Sequence, residues 1–197
     1  NYIARWDGSK WASVGAGTNY AVKALAIDTV KDVLYVSGGF DMAGGIPVKF
    51  VARWDGTNWS AAPPLPTYYN SHSMPNAMKF FKGKLYLGLD SYGFYGAYDT
   101  ALVRLDSNQW NPVYGPNGVK ALEVYKGNLY VGGFNKIDTT TVNGIACYGD
   151  SCPGTPITLT LPYGVNELQN KSLKFKVYPN PAKKEINIEL AVGSRQL

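Results

Sequence analysis

One nine-residue phrase is written three times along this chain. Ile3-Ala4-Arg5-Trp6-Asp7-Gly8-Ser9-Lys10-Trp11 returns as Val51-Ala52-Arg53-Trp54-Asp55-Gly56-Thr57-Asn58-Trp59, and more loosely as Leu102-Val103-Arg104-Leu105-Asp106-Ser107-Asn108-Gln109-Trp110. From Arg5 to Arg53 is 48 positions, and from Arg53 to Arg104 is 51. Ile145-Ala146-Cys147-Tyr148-Gly149-Asp150 is a degraded fourth copy. Two other phrases interleave with it. Leu34-Tyr35-Val36-Ser37-Gly38-Gly39-Phe40 returns at Leu85-Tyr86-Leu87-Gly88-Leu89 and at Leu129-Tyr130-Val131-Gly132-Gly133-Phe134. Ahead of each stands a shorter apolar run, beginning at Val22, Asn76 and Val119. A fixed order of phrases at a fixed period marks a repeat architecture, in which each unit buries its apolar surface against its neighbours.

Each period holds four short apolar runs in about 45 to 50 residues, a length typical of repeating four-stranded sheets. Asp7-Gly8 and Asp55-Gly56 stand between two such runs, with Ser107-Asn108 in the third copy. Asp-Gly in that setting is a hairpin signal, because Gly takes the positive φ that a primed turn needs. Lys82-Gly83 and Lys126-Gly127 turn the first run of a unit into the second. The composition agrees: 14% aromatic residues with Gly 22 and Pro 12 suit short strands and tight turns. The expected fold is all-β: four-stranded antiparallel meanders read as β-propeller blades in an incomplete ring. Half a blade is expected at residues 3–15, full blades at 22–62 and 76–114, and a third at 119–161 with its outer strand at Ile157 to Leu161. Entry in mid-blade gives the expectation that the 197 residues are a mature portion or fragment of a longer protein.

The blade phrases resemble the kelch-like propeller repeats of bacterial surface proteins, over residues 1 to about 150. Phe40-Asp41-Met42-Ala43-Gly44-Gly45 matches the segment of that family that follows the second strand. The resemblance implies architecture and is nearly silent on function. The second blade departs from it, with Leu89 to Tyr98 in place of that segment.

After Pro153-Gly154 the pattern changes, giving expected domains of 1–162 for the blades, 163–172 for a polar linker and 173–197 for a separate tail. In the tail, Leu173, Phe175 and Val177 alternate with polar residues, as do Ile186, Ile188 and Leu190. That is the period of half-buried strands, here joined by a turn containing two prolines. Val177-Tyr178-Pro179-Asn180-Pro181 followed by an alternating strand resembles the start of the type A C-terminal sorting domain of the type IX secretion system. The resemblance implies a small β-sandwich recognised by outer-membrane barrel proteins of the export machinery. The sorting signal would be carried by Phe175, Val177, Tyr178, Pro179, Asn180, Pro181, Ile186 and Ile188. The resemblance extends as far as Leu197, short of the closing strands expected for that family. Two strands alone are marginal in water, so something else must cover Phe175, Val177, Ile186 and Ile188.

Charge and chemistry narrow the function. The formal net charge is +5, but the lysines are scattered, so no nucleic-acid partner is expected. No apolar run approaches the ~20 residues of a spanning helix. The sole His72 lies in a Ser-rich stretch with no acid partner marked, and no nucleophile or nucleotide motif occurs. Asp28 and Asp32 fall short of a calcium shell. No catalytic group, metal or cofactor is therefore expected. Asp7, Asp55 and Asp106 are expected to form turns, the recurring tryptophans to pack between blades, and Arg5, Arg53 and Arg104 to bridge strands. Cys147 and Cys152 form either a local disulfide, which implies an oxidising compartment, or two reduced thiols.

The repeat breaks at two tyrosine-rich stretches, and these give the candidate ligand loop: Tyr68, Tyr69, Tyr92, Tyr95 and Tyr98. Tyrosines there suit contact with a glycan or a protein, or simply pack on neighbouring blades. Asp28-Thr29-Val30, Asp99-Thr100-Ala101 and Asp138-Thr139-Thr140 fit a short pattern that bacteria using this export route O-glycosylate. The expectation is a secreted, cell-surface propeller protein, cargo of type IX secretion, with a binding or adhesion role. The alternatives are an extracellular propeller hydrolase or lyase, and a resident subunit of an outer-membrane assembly.

Overall fold

Hairpin turns divide the chain where the repeated phrases meet. The structure, a computed structural model, describes residues 1–66, 74–90, 101–113, 118–137, 140–149, 152, 156–157 and 175–177. Among them there is no helix, and the strands form several antiparallel sheets, none of them closed.

β1 (Ala4–Trp6) and β2 (Trp11–Ser13) pair alone, with Trp6 opposite Trp11. The first full unit is β3 (Val22–Asp28), β4 (Val33–Gly38), β7 (Val51–Trp54) and β8 (Trp59–Ala61), in that spatial order. A small ribbon, β5 (Met42–Ala43) with β6 (Ile46–Pro47), sits between β4 and β7 in sequence. The second unit repeats the order with β9 (Pro75–Phe81), β10 (Lys84–Leu89), β11 (Leu102–Asp106) and β12 (Gln109–Pro112). The third holds β13 (Ala121–Tyr125), β14 (Asn128–Ile137), β15 (Thr140–Tyr148), β16 (Pro156–Ile157) and β17 (Phe175–Val177), ordered β13-β14-β15-β17-β16.

The turns form as their residues dictate. Asp7 Oδ1 accepts the N–H groups of Ser9 and Lys10, both at 2.9 Å, and Asp55 Oδ1 accepts those of Thr57 and Asn58 at 2.8 and 2.6 Å. Gly8 and Gly56 follow at φ of 100° and 95°, a region closed to most side chains. Those backbone donors hold both carboxyls below the usual range, so the turns keep their charge. Ser107 replaces the glycine in the third copy. There β11 runs on to Asp106, which pairs with Gln109, and Asp106 turns its carboxylate back to Arg104. It is thus an exception to the turn role expected of it.

The units stack through their inner strands, β3 against β9 and β9 against β13. Each sheet has two faces. One, the trailing face, carries Ala24, Ala26 and Tyr35 in the first unit. It meets the leading face of the next, which carries Met78, Phe80, Leu85 and Leu87. Tyr35 lies edge-on to Phe80, 5.6 Å between centroids. At the next junction Tyr148 lies 5.9 Å from Tyr86 and 6.2 Å from Phe81. Gly88 leaves no space for a Cβ beside the Val119 side chain, so this strand approaches the next unit as closely as backbone allows. Outer strands are joined too. The Trp59 indole donates to the Val14 carbonyl at 3.0 Å and the Trp110 indole to the Pro63 carbonyl at 2.8 Å. These two tryptophans pack between units as expected, whereas Trp6 and Trp11 are 52% and 69% exposed.

The third unit departs from the expected order. The strand beside β15 is β17 from the tail, with Tyr148 opposite Phe175 and Ala146 opposite Val177. Residues 156–157 lie beyond it, paired to β17. Both stretches are extended and β15 offers one edge, so the two compete for a single ladder; in this arrangement the tail segment holds the inner place.

Leu87 is fully buried at the centre of this stack. Leu87→Ala is expected to lower unfolding stability by about 2–5 kcal/mol, measured by chemical denaturation. A loss below about 1 kcal/mol would show that the second unit is not packed on both faces.

Candidate functional site

The second phrase of each unit puts a tyrosine at one register position, and the strand beside it supplies the partner. Tyr35 lies opposite Arg53 and Tyr86 opposite Arg104, while Tyr130 lies opposite Cys147. Arg53 donates across its hairpin to the Ala61 carbonyl at 2.7 Å, bridging strands as expected.

In the second unit this position grows into a charged cluster at the junction with the third. Arg104 grips Asp106 with Nε at 3.1 and 2.9 Å from the two carboxylate oxygens, and with Nη2 at 2.7 Å. Lys84 Nζ approaches the same carboxylate at 3.2 Å, and Asn111 donates to it at 3.2 Å. Burial pushes the Asp106 carboxyl up, but Arg104 and Lys84 outweigh it and hold it below its ordinary range. Tyr86 lies opposite Arg104 on the neighbouring strand and is 3% exposed. Burial, with Tyr148 beside it, raises its phenol well above the ordinary tyrosine value. Nearer solvent, Lys79 Nζ reaches Glu123 at 2.6 Å, tying β9 to β13. Lys79, with the Val124 N–H, holds the Glu123 carboxyl low. That pair is exposed and adds little to stability.

The cluster fixes position rather than doing chemistry. Asp106 is held charged by two cations and an amide, and Tyr86 is held neutral, so neither is poised to take up or give a proton near neutral pH. Among the described residues no three His, Cys, Asp or Glu side chains come together as a metal site. Asp28 Oδ1 accepts the N–H groups of Val30 and Lys31, both at 3.1 Å, which accounts for its place in a turn.

The cysteines are joined: Cys147 and Cys152 form a disulfide across a separation of 5 residues. Both are buried. Where the first two units place arginine opposite the tyrosine, the third places half of this bridge. Phe175 and Val177 occupy β17. Tyr178, Pro179, Asn180, Pro181, Ile186 and Ile188 lie outside the described residues. So do His72 and the loop residues Tyr68, Tyr69, Tyr92, Tyr95 and Tyr98. The Arg104–Asp106–Lys84 cluster was missed by sequence reading. A difference was present in the sequence: Ser107 stands where Gly8 and Gly56 make the turn, and Ser107 takes the positive φ there itself, at 56°.

No family model matches the chain, and no curated protein does.

Two outcomes follow from this geometry. Asp106 has a folded-state pKa below its unfolded value, so its stabilisation is complete above about pH 4 and fades as pH falls through the lowered value. Asp106→Asn should therefore flatten the acid limb of the melting-temperature profile, while the parent loses stability there; identical acid limbs would remove the cluster's role. The disulfide closes a short loop, so Cys147→Ser with Cys152→Ser is expected to cost about 2 kcal/mol, read from denaturation midpoints. No change, or a gain, would contradict the bridge.

Proposed function

We propose that the chain is part of a secreted, cell-surface β-propeller protein of the kelch-like type, carried out of the cell by type IX secretion and serving there as a binding or adhesion module. The observation that carries this reading is the union, in one chain, of serially stacked four-stranded units and a tail reading Val177-Tyr178-Pro179-Asn180-Pro181. Stacked units give a rigid body whose loops are free to vary, which is where binding sites tend to lie. On this reading the ligand, a glycan or a protein, meets the loops that hold Tyr68, Tyr69, Tyr92, Tyr95 and Tyr98. The buried disulfide suits an oxidising compartment outside the cytoplasm. Recognition by an outer-membrane barrel protein of the export apparatus would fall to the segment from Phe175 to Ile188.

Export is tested in cells that possess the machinery, producing the protein either unchanged or with alanine at Tyr178, Pro179, Asn180 and Pro181. The unchanged protein is expected at the cell surface, open to added protease, and the altered one in the periplasm. Equal delivery of both, or delivery that survives loss of the machinery, would contradict the export reading.

A further inference from the structure

The three units use the same surface to receive a neighbour, and in the first unit half of that surface is open. Register makes the equivalence exact to the residue. Leu25 lies opposite Val36, Met78 opposite Leu87 and Leu122 opposite Val131, so Leu25, Met78 and Leu122 hold one position. Met78 is 4% and Leu122 9% exposed, each under the preceding unit, yet Leu25 is 51% exposed. Ile27, Phe80 and Val124 hold the next position on that face, opposite Leu34, Leu85 and Leu129. Phe80 and Val124 pack against the core, while Ile27 is 52% exposed.

The outer half of the same face is covered. Ile3 and Val14, flanking β1 and β2, pack with Val36, Ala52 and Trp59. β1 and β2 thus stand where the two outer strands of a preceding unit belong. Among the described residues β1 pairs with β2 alone, whereas its counterparts β7, β11 and β15 are paired along both edges. The free edge and the open aliphatic half-face adjoin one another.

We propose that this site takes a two-stranded β-hairpin of the same repeat class. One strand pairs with Ala4–Trp6, and the other lies across Leu25 and Ile27. The occupant's chemistry follows from the junctions already filled. Tyr35, facing the next unit, meets Phe80, the equivalent of Ile27. The hairpin therefore presents an aromatic ring to Ile27, from a position opposite Arg5, as Tyr35 stands opposite Arg53 and Tyr86 opposite Arg104. Main-chain pairing supplies affinity and the aromatic supplies register. The inference rests on the serial-unit part of the proposed function and not on export. Failure of hairpin binding leaves the export result untouched, and the reverse holds as well.

The test uses the full chain and a synthetic peptide with the sequence of residues 22–38, which spans β3, its turn and β4. Saturable binding is expected, with slowed amide exchange at Ala4–Trp6 and a blue shift of tryptophan emission as Trp6 loses water. Leu25→Lys should weaken binding about tenfold or more, and replacing the peptide's tyrosine by alanine should weaken it too. Val30→Lys, on the turn beside the site, should leave it unchanged, and circular dichroism confirms that both variants fold. A second arm avoids the low stability of a free hairpin: the same sequence is joined ahead of Asn1 by a flexible linker, which should raise the melting temperature, and Leu25→Lys should abolish the rise. The proposal is overturned if neither arm shows an effect or if the effect survives Leu25→Lys. Protection falling on β16 instead of β1 would overturn it too, as would a soluble glycan that gives the same emission shift and displaces the peptide.

Discussion

The stack depends on a difference between the two faces of each unit. One face is mostly aliphatic: Met78, Leu85, Leu87 and Val103 in the second unit, with Phe80 among them, and Leu122, Leu129 and Val131 in the third, with Tyr148 among them. Such a face has no stable place in water, and a single four-stranded sheet has no other layer to hide it. The opposite face offers small residues and a tyrosine, Ala24, Ala26 and Tyr35 in the first unit. The tyrosine meets a ring on the facing unit at each junction, Tyr35 with Phe80 and Tyr86 with Tyr148, so each unit covers the next in one direction.

Given that constraint, the remaining features fall into supporting roles. The tryptophans tie outer strands across junctions that the inner strands have already formed, each indole reaching a carbonyl just beyond the preceding unit's outer strand. The arginines solve a local problem. Placed beside a buried tyrosine, each needs acceptors: Arg53 finds a carbonyl across its hairpin, and Arg104 a carboxylate two residues along. In the third unit the arginine gives way to Cys147, and a covalent bridge stands where the ion pair was.

Much of this was legible in the sequence because hairpins are local. Asp-Gly and Lys-Gly turns, alternation and the repeated phrases placed β3, β4 and β7 to β12 within a residue or two of where they lie, and left the small β5–β6 ribbon unread. What escaped was non-local or depended on a single substitution. Nothing in residues 119–161 said that Phe175–Val177 would take the edge of β15 ahead of the nearer Pro156–Ile157; an open edge accepts any extended segment, so sequence distance was a poor guide. Asp106 was read by analogy with Asp7 and Asp55, but its carboxylate turns to Arg104, Lys84 and Asn111, partners that lie on neighbouring strands or two residues back and carry no turn signature. The equivalence of Leu25 with Met78 and Leu122 was present in the repeats, but its meaning required knowing which positions are covered. The tyrosine loops and the proline turn of the tail, on which the binding and export readings lean, fall outside the described residues and gain nothing from the fold.

The claim beneath the whole account is that the tyrosine-bearing face of one unit packs on the leading face of the next. A double-mutant cycle on Tyr35→Leu and Phe80→Leu, read by chemical denaturation, tests it directly. The account predicts a favourable coupling of about 0.5–1.5 kcal/mol between the two rings. Strictly additive losses would mean that these units do not meet, and the stacked architecture would fail with them.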